Sequence, residues 1–308
     1  MFDLACVGVA IVDCIIKNLN DTPLTDRVLY ADKTTLMPGG EAVNQSVTAS
    51  KLGLNTKIIC CMGKDYAADI LMAELKASNV DTSDIITNNK IITPVAAIFT
   101  DDCGNRRSVT TDAHTYNFHP ERYADALNNT KAVSIGSLFR APFNDPEIIF
   151  NFVKSAKEKG LPVYADTKMP NANKIGLRDI RDSLPYIDYI FPNEDEAKHY
   201  SGRSDIESIA DEFLKYGVSN VIIKLGSKGC FLKNKDGSIH LDGYKVKAVD
   251  ATGAGDNFIA GFIAAKNRNE NDADALVFAN ACGAVSTEKI GATAALKSYD
   301  QIKKFMNK

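Results

Sequence analysis

The sequence predicts an α/β protein: a doubly wound, mostly parallel sheet flanked by helices, with a small second β-sheet beside it. Two observations predict the main sheet. Short, near-continuous apolar runs at 3–11 and 56–62 read as strands covered on both faces. From about residue 120 onward such runs alternate with amphipathic stretches, the rhythm of βαβ units. A third observation predicts the small sheet. The stretches at about 14–37 and 94–112 are β-prone but interleave polar residues, unlike the buried strands around them.

In chain order, the first strand spans 3–11 and Asp13 cuts it off. Pro23 and Pro38 interrupt the polar stretch that follows, and Gly39-Gly40 precede a helix over 41–52 that stops at Gly53. A strand at 56–62 leads to a helix at 65–78. Strand-like residues 95–100 and 106–111, separated by Asp101-Asp102-Cys103-Gly104-Asn105, read as a hairpin. Strands are predicted at 131–136, 162–166, 187–191 and 219–225, with helices at 144–160, 193–201 and 205–216. A second hairpin covers 228–247 with Asp236-Gly237 at its turn. The last third is helical: 254–268, 272–289 and 299–306. No linker or repeat divides the chain, so residues 1–308 are expected to form one domain.

Hydrophobic residues make up 45% and charged residues 24%, which excludes global disorder and fibrous repeats. With 36 basic against 39 acidic side chains, net −3, nothing in the bulk charge attracts nucleic acid or an acidic membrane. No apolar run approaches the ~20 residues of a membrane span. The seven cysteines are odd in number and lack a Cys-x-x-Cys pair, which suits a reducing compartment, the cytoplasm. The histidines at 114, 119, 199 and 240 show no metal-ligand spacing.

The chain lacks a P-loop, a Gly-x-Gly-x-x-Gly after its first strand, and a Gly-x-Ser-x-Gly elbow. Its most informative segment is Val249-Asp250-Ala251-Thr252-Gly253-Ala254-Gly255-Asp256-Asn257-Phe258. Glycine and alanine leave little bulk there, so a ligand can approach the backbone. The free amides opening the next helix would face an anion. Asp256, in the first turn, either complements the helix dipole or takes a proton from a hydroxyl nucleophile.

Asp250 to Asp256, Asp-x-Thr-Gly-Ala-Gly-Asp, resembles the C-terminal signature of the ribokinase-like (PfkB) carbohydrate kinases. Gly39-Gly40-Glu41-Ala42-Val43-Asn44 resembles their N-terminal signature. Asp13, the Asn-x-x-Glu of Asn193 to Glu196, and the loop Lys224-Leu225-Gly226-Ser227-Lys228-Gly229 fit the same order. The whole pattern is nearer to less characterised bacterial sugar kinases of that family than to ribokinase itself. The resemblance implies a ribokinase-like fold in which the segments 14–37 and 94–112 form a β lid over the acceptor. It implies Asp256 as general base and Gly253, Ala254 and Gly255 as an anion hole. It places Asp13, Gly39, Gly40 and Asn44 at the sugar. Asn193 and Glu196 would act on Mg2+ through water, Lys224, Gly226 and Gly229 would line the triphosphate of ATP, and Asn280 would sit near adenine. Asp250 and Thr252 match part of a K+ site, whose remainder lies near Ser286 and Gly291. A homodimer through the lid is implied as well.

Other readings stand beside these. Asn193 with Glu196 is also a capping box. Asp13 could simply end a strand, Lys224 could be an ordinary strand-end lysine, and Asn280 could bond a neighbouring loop. Glu41 after the glycine pair should repel a phosphosugar, which favours a non-phosphorylated sugar or sugar acid as acceptor. Arg140 and Lys168, at strand ends, either read a carboxylate on the sugar or pair with Glu41 or Asp166. The expected activity is transfer of the γ-phosphate of MgATP to a primary hydroxyl. The alternatives are a nucleoside kinase, with Phe99, Phe139 and Phe143 as candidates for a purine slot, and a non-catalytic sugar- or nucleotide-sensing protein.

Overall fold

A computed structural model describes residues 1–19, 28–100, 106–110, 118–170 and 175–307. Pro23, the turn at 101–105 with Cys103, Thr111 and His114 lie outside the described residues.

The elements run β1 (Leu4–Val7), β2 (Ile11–Leu19), β3 (Ala31–Gly39), α1 (Glu41–Lys51), β4 (Thr56–Ile59), β5 (Cys61–Met62), α2 (Tyr66–Ala77) and β6 (Ile86–Thr87). Next come β7 (Val95–Thr100), β8 (Arg106–Thr110), a 3-10 turn at Pro120–Leu127, β9 (Val133–Leu138), α3 (Pro146–Glu158), β10 (Val163–Thr167) and β11 (Tyr189–Phe191). The chain continues through α4 (Glu194–Ser201), α5 (Ile206–Lys215), β12 (Asn220–Lys224), β13 (Cys230–Asn234), β14 (Gly237–Leu241), α6 (Ala254–Lys266), α7 (Asp272–Ser286) and α8 (Tyr299–Met306).

The main sheet has the order β14-β13-β12-β11-β10-β9-β1-β4. Its strands from β12 to β4 are parallel, and the β13–β14 hairpin closes one edge antiparallel. Alternate side chains feed two cores. Leu4, Cys6, Ile58 and Tyr164 pack against α1, α2, α6 and α7. Ala5, Val7, Ile59 and Ala165 pack against α3, α4 and α5. The predicted helices and the long parallel sheet are therefore observed on both faces, as double winding requires.

The first apolar run behaves differently from expectation. It splits: β1 ends at Val7, and after Gly8 the chain crosses into a second sheet of order β3-β2-β7-β8. Asp13 does not end the first strand. It lies inside β2, in register with Met37 and Ala96. The apolar character that suggested one long strand serves two sheets in succession. The run at 56–62 likewise divides into β4 and β5.

In this small sheet, Asp13, Ile15, Met37, Ala96 and Ile98 share one face by register and alternation, and Asp13, Ala96 and Ile98 on it are buried. The turn between the sheets is tight. Gly40, at φ 90°, passes against the Val9 carbonyl and Ala10, where any side chain would collide. This crossing sets α1 at the carboxyl end of β1, beside the junction of β1 and β9. In such sheets that is where ligands bind.

Candidate active site

Two helices open without side-chain caps, α1 after Gly40 and α6 after Gly253. Gly253 has φ 75°, which turns the chain sharply into α6. Among the described residues, no acceptor in the protein reaches the amides of Gly253, Gly255 or Asp256. Ala254, expected in the same cradle, instead donates to the Ala251 carbonyl at 3.2 Å, because the left-handed corner folds its amide back. The Lys224 ammonium lies directly against Gly255, 3.2 Å from where a Cβ would stand. An anion at this corner would meet backbone donors, the positive helix end and a lysine together.

Asp256 follows one residue later and points the other way, toward α1. It is 5% exposed. Asn44 Nδ2 donates to its Oδ2 at 2.8 Å, and Gln45 Nε2 donates to its Oδ1 at 3.2 Å. Burial pushes the Asp256 carboxyl up to about 7; Lys168 opposes this, Glu41 and Asp166 add to it, and the Asn44 hydrogen bond counters it. The Asn44 Oδ1 is buried and has no hydrogen-bond partner.

A charged cluster surrounds this pair. Lys168 Nζ lies 3.2 Å from Glu41 Oε1 and 3.7 Å from Asp166 Oδ2. Burial works against its charge, but Glu41, Asp166, Asp256 and Glu196 outweigh burial and raise its pKa. Burial also works against the Glu41 carboxylate, yet Lys168 and the Ser137 hydroxyl hold it below the usual carboxylate range. Lys224 Nζ donates to Asp166 Oδ1 at 2.5 Å. Arg140 is exposed, and its Nε donates to the Met169 carbonyl at 2.9 Å. The expected pairing of a basic residue with Glu41 and Asp166 is thus found at Lys168 and not at Arg140.

Asn193 and Glu196 form the capping box of α4. Glu196 Oε2 accepts from Asn193 N at 2.9 Å and from Thr167 Oγ1 at 2.8 Å. Burial raises the Glu196 pKa; Lys224 opposes this and Asp166 adds to it. Among the described residues no donor reaches its Oε1, and the buried Asp166 Oδ2 lacks a hydrogen-bond partner. Also among them, no group of three or more His, Cys, Asp or Glu could hold a metal by itself. One carboxylate and one amide suit a Mg2+ that keeps most of its waters.

The remaining predicted residues are spread over β2, α7 and the loops around them. Asp13 lies across Gly39, where a Cβ would stand 2.5 Å from its Oδ2. Asp250 Oδ1 accepts from Thr252 N and Oγ1, at 2.9 and 2.6 Å, while its Oδ2 accepts from Gly291 N at 2.9 Å. Ser286 instead donates to the Gly283 carbonyl within α7. Gly226 and Gly229 bound the short 3-10 turn after β12. Asn280 Nδ2 donates to the Asp242 carbonyl at 2.8 Å, tying α7 to the segment after β14. Sequence reasoning missed Gln45, Ser134 and Thr167. The available signal was on α1, where Asn44, Gln45, Ser46 and Thr48 are consecutive or near-consecutive polar residues in a helix that must be buried.

A sequence model of the pfkB family carbohydrate kinases matches residues 1–298. The chain belongs to the pfkB family of carbohydrate kinases. It is therefore a phosphotransferase with an alcohol group as acceptor and an ATP-binding kinase. Its relatives include a ribokinase of Staphylococcus aureus, 29% identical over 271 residues, which cover 86% of each chain. A nucleoside kinase of Methanocaldococcus jannaschii is 28% identical over 270 residues, 86% of this kinase and 83% of that one. The solved structure of an Arabidopsis thaliana ribokinase complexed with ribose and ATP has the same fold. It superposes with a TM-score of 0.86 at 23% identity, covering 100% of this chain and 99% of that one. Among the described residues no helix is long and apolar enough to cross a membrane.

Proposed function

We propose that this kinase transfers the γ-phosphate of MgATP to a primary hydroxyl of a non-phosphorylated sugar, with Asp256 as general base. The corner at 253–256 carries this reading. On one side it offers the open Gly253 and Gly255 amides and the Lys224 ammonium. On the other it turns the Asp256 carboxylate toward Asn44. The partnerless Asn44 Oδ1 suits an amide whose partner is an acceptor hydroxyl.

In this mechanism Asp13 and Asn44 orient the acceptor, with Gly39 and Gly40 allowing its close approach. Asp256, raised toward neutrality, accepts the hydroxyl proton as the oxygen attacks phosphorus. The amides at the helix opening and Lys224 hold the developing negative charge. Magnesium, carried in with ATP and held through water by Asn193 and Glu196, would supply charge neutralisation at the phosphates. Gly226, Gly229 and Asn280 border the path assigned to the nucleotide, and the small sheet serves as the lid. Potassium would sit where Asp250 draws Thr252 and Gly291 together.

Lys168 shares its ammonium between Glu41 and Asp166, which favours a neutral sugar over a sugar acid. The aromatic residues considered for a purine slot do not support a nucleoside acceptor. Phe139 and Phe143 are core residues, stacked on Tyr200 and packed edge-on to Phe152. Phe99 pairs with Ile16, on the face of the small sheet opposite Asp13.

Measuring ADP release over neutral sugars, sugar acids and adenosine, in potassium and in tetramethylammonium chloride, tests all of this. A neutral sugar is expected to be fastest, and Asp256→Asn to lower turnover by ~10²–10⁴ with ATP binding intact. Release with no acceptor, or full turnover by Asp256→Asn, overturns the reading. Equal rates in the two salts remove potassium from it.

A further inference from the structure

We propose that Gln45, oriented by Ser134, is a positioning residue that holds Asp256 in one rotamer and one hydrogen-bonding state. The proposal rests on the assignment of Asp256 as base and adds two residues behind it. Gln45 and Ser134 are both fully buried. Ser134, on β9, donates from Oγ to Gln45 Oε1 at 2.6 Å. Gln45, on α1, donates from Nε2 to Asp256 Oδ1 at 3.2 Å. The order of this relay is fixed by chemistry. An ionised carboxylate accepts only, so the amide must turn its NH2 toward Asp256. That leaves Oε1 facing β9, and only a donor there satisfies it. Ser134 is that donor, placed at the junction of β1 and β9.

The neighbouring amide is arranged differently. Asn44 also donates to Asp256, but its own oxygen is buried without a partner. The two amides thus divide the work: Asn44 is left open toward the acceptor, and Gln45 is closed off by Ser134. Each carboxylate oxygen has about two lone pairs. With Gln45 holding Oδ1, Oδ2 retains a lone pair beside Asn44 for the acceptor proton. The charged and titratable groups facing Asp256 are Glu41 on α1, Asp166 and Lys168 at the end of β10, and the Cys6 thiol on β1, while Lys224 lies on the other side of the corner against Gly255. Gln45 acts on Asp256 as a neutral donor among them, favouring the carboxylate over the acid.

The test is a carboxyl-carbon NMR titration of the full-length protein labelled at aspartate, with the Asp256 signal assigned by its loss in Asp256→Asn. The wild-type midpoint is expected at about 7. Gln45→Met and Ser134→Ala are each expected to raise it, by about one unit and somewhat less. Ser134→Thr, which keeps the hydroxyl, is expected to hold it. With ATP and the neutral sugar ribose, the first two variants are expected to lose roughly ten- to a hundredfold in kcat, with the KM for ATP unchanged. Folded Gln45→Met and Ser134→Ala proteins that titrate like wild type overturn the proposal. Should Gln45→Met fail to fold, the smaller Ser134→Ala change decides. Loss of turnover in Asp256→Asn alongside unmoved midpoints would leave the base standing and remove only its positioning. Turnover retained by Asp256→Asn would remove the base, while the midpoints still decide the relay.

Discussion

At Asp256, burial sets stability against catalysis. Burial pushes the carboxyl up from its ordinary 3.8 to about 7 in the folded protein. Between those values the folded protein holds a proton that the unfolded chain has released, so stability falls as pH rises through this window. The contribution is fully present below about pH 4 and lost above about pH 7. Asp256→Asn removes the burial of charge, and the partnerless Asn44 oxygen is available to accept from the new amide. The variant is therefore expected to match wild type in thermal midpoint near pH 4 and to exceed it by several degrees at pH 8. Melting both proteins across that range checks this; a difference independent of pH would contradict it. Activity should run the other way, rising with pH through about 7 as the base ionises. The roles proposed for Asp256 and Asn44 could be read from the sequence because each stands in a local motif. Gln45 and Ser134 could not, since their meaning depends on a contact between residues 89 apart. Glu41 lies between these cases: its pairing with a basic strand-end residue was among the readings of the sequence, but the choice of Lys168 over Arg140 requires the fold.

Helices and parallel strands were legible because each combines a clear period with a clear stop. The β1–β2 boundary was not, because Ala10 and Val12 are as buried in their new surroundings as Leu4 and Val7 in theirs. Apolar residues on both sides of Gly8 hide the change of sheet. Between α1 and α6 the contact is made partly by polar rungs. Thr48 Oγ1 donates to Asn257 Oδ1 at 3.1 Å, and Asn257 Nδ2 donates to the carbonyls of Gly253 and Ala292 at 2.8 and 2.7 Å. These bonds clamp the corner that opens α6. A Cβ on Gly253 would lie 2.5 Å from that of Ala292, on a residue already at φ 75°. Gly253→Ala is expected to cost ~1–3 kcal/mol in urea unfolding, through backbone strain and collision together. It should also lower kcat by displacing the Gly255 amide. A variant as stable and active as wild type would show that the corner yields more easily than its packing implies.

The two β-rich segments were expected to meet in space, and they do, as neighbouring strands of one small sheet. What the sequence left open was which side faces the main sheet. Register answers it: Met37, on the face of Asp13, touches Gly291, which is bonded to Asp250 shortly before α6. The opposite face then carries Leu36, Cys14, Ala97 and Val109 in a row across all four strands. Leu36 is 53% and Val109 68% exposed. Ile16 and Phe99 extend this row by a second pair. A sheet with Asp13 on one face and, among the described residues, exposed apolar side chains on the other is poorly suited to water on that second face. A second copy laid against that face would bury the row and steady the proposed lid, the homodimer arrangement that the family resemblance implies. Sedimentation velocity at micromolar concentration is expected to give a dimer for wild type and a monomer for the paired change Leu36→Lys with Val109→Lys. Both substitutions point away from Asp13, so the monomer should keep its nucleotide affinity and lose affinity for the sugar as its lid closes less readily. A wild-type monomer, or a dimer indifferent to both lysines, would leave the outer face without a partner and return the lid to a single chain.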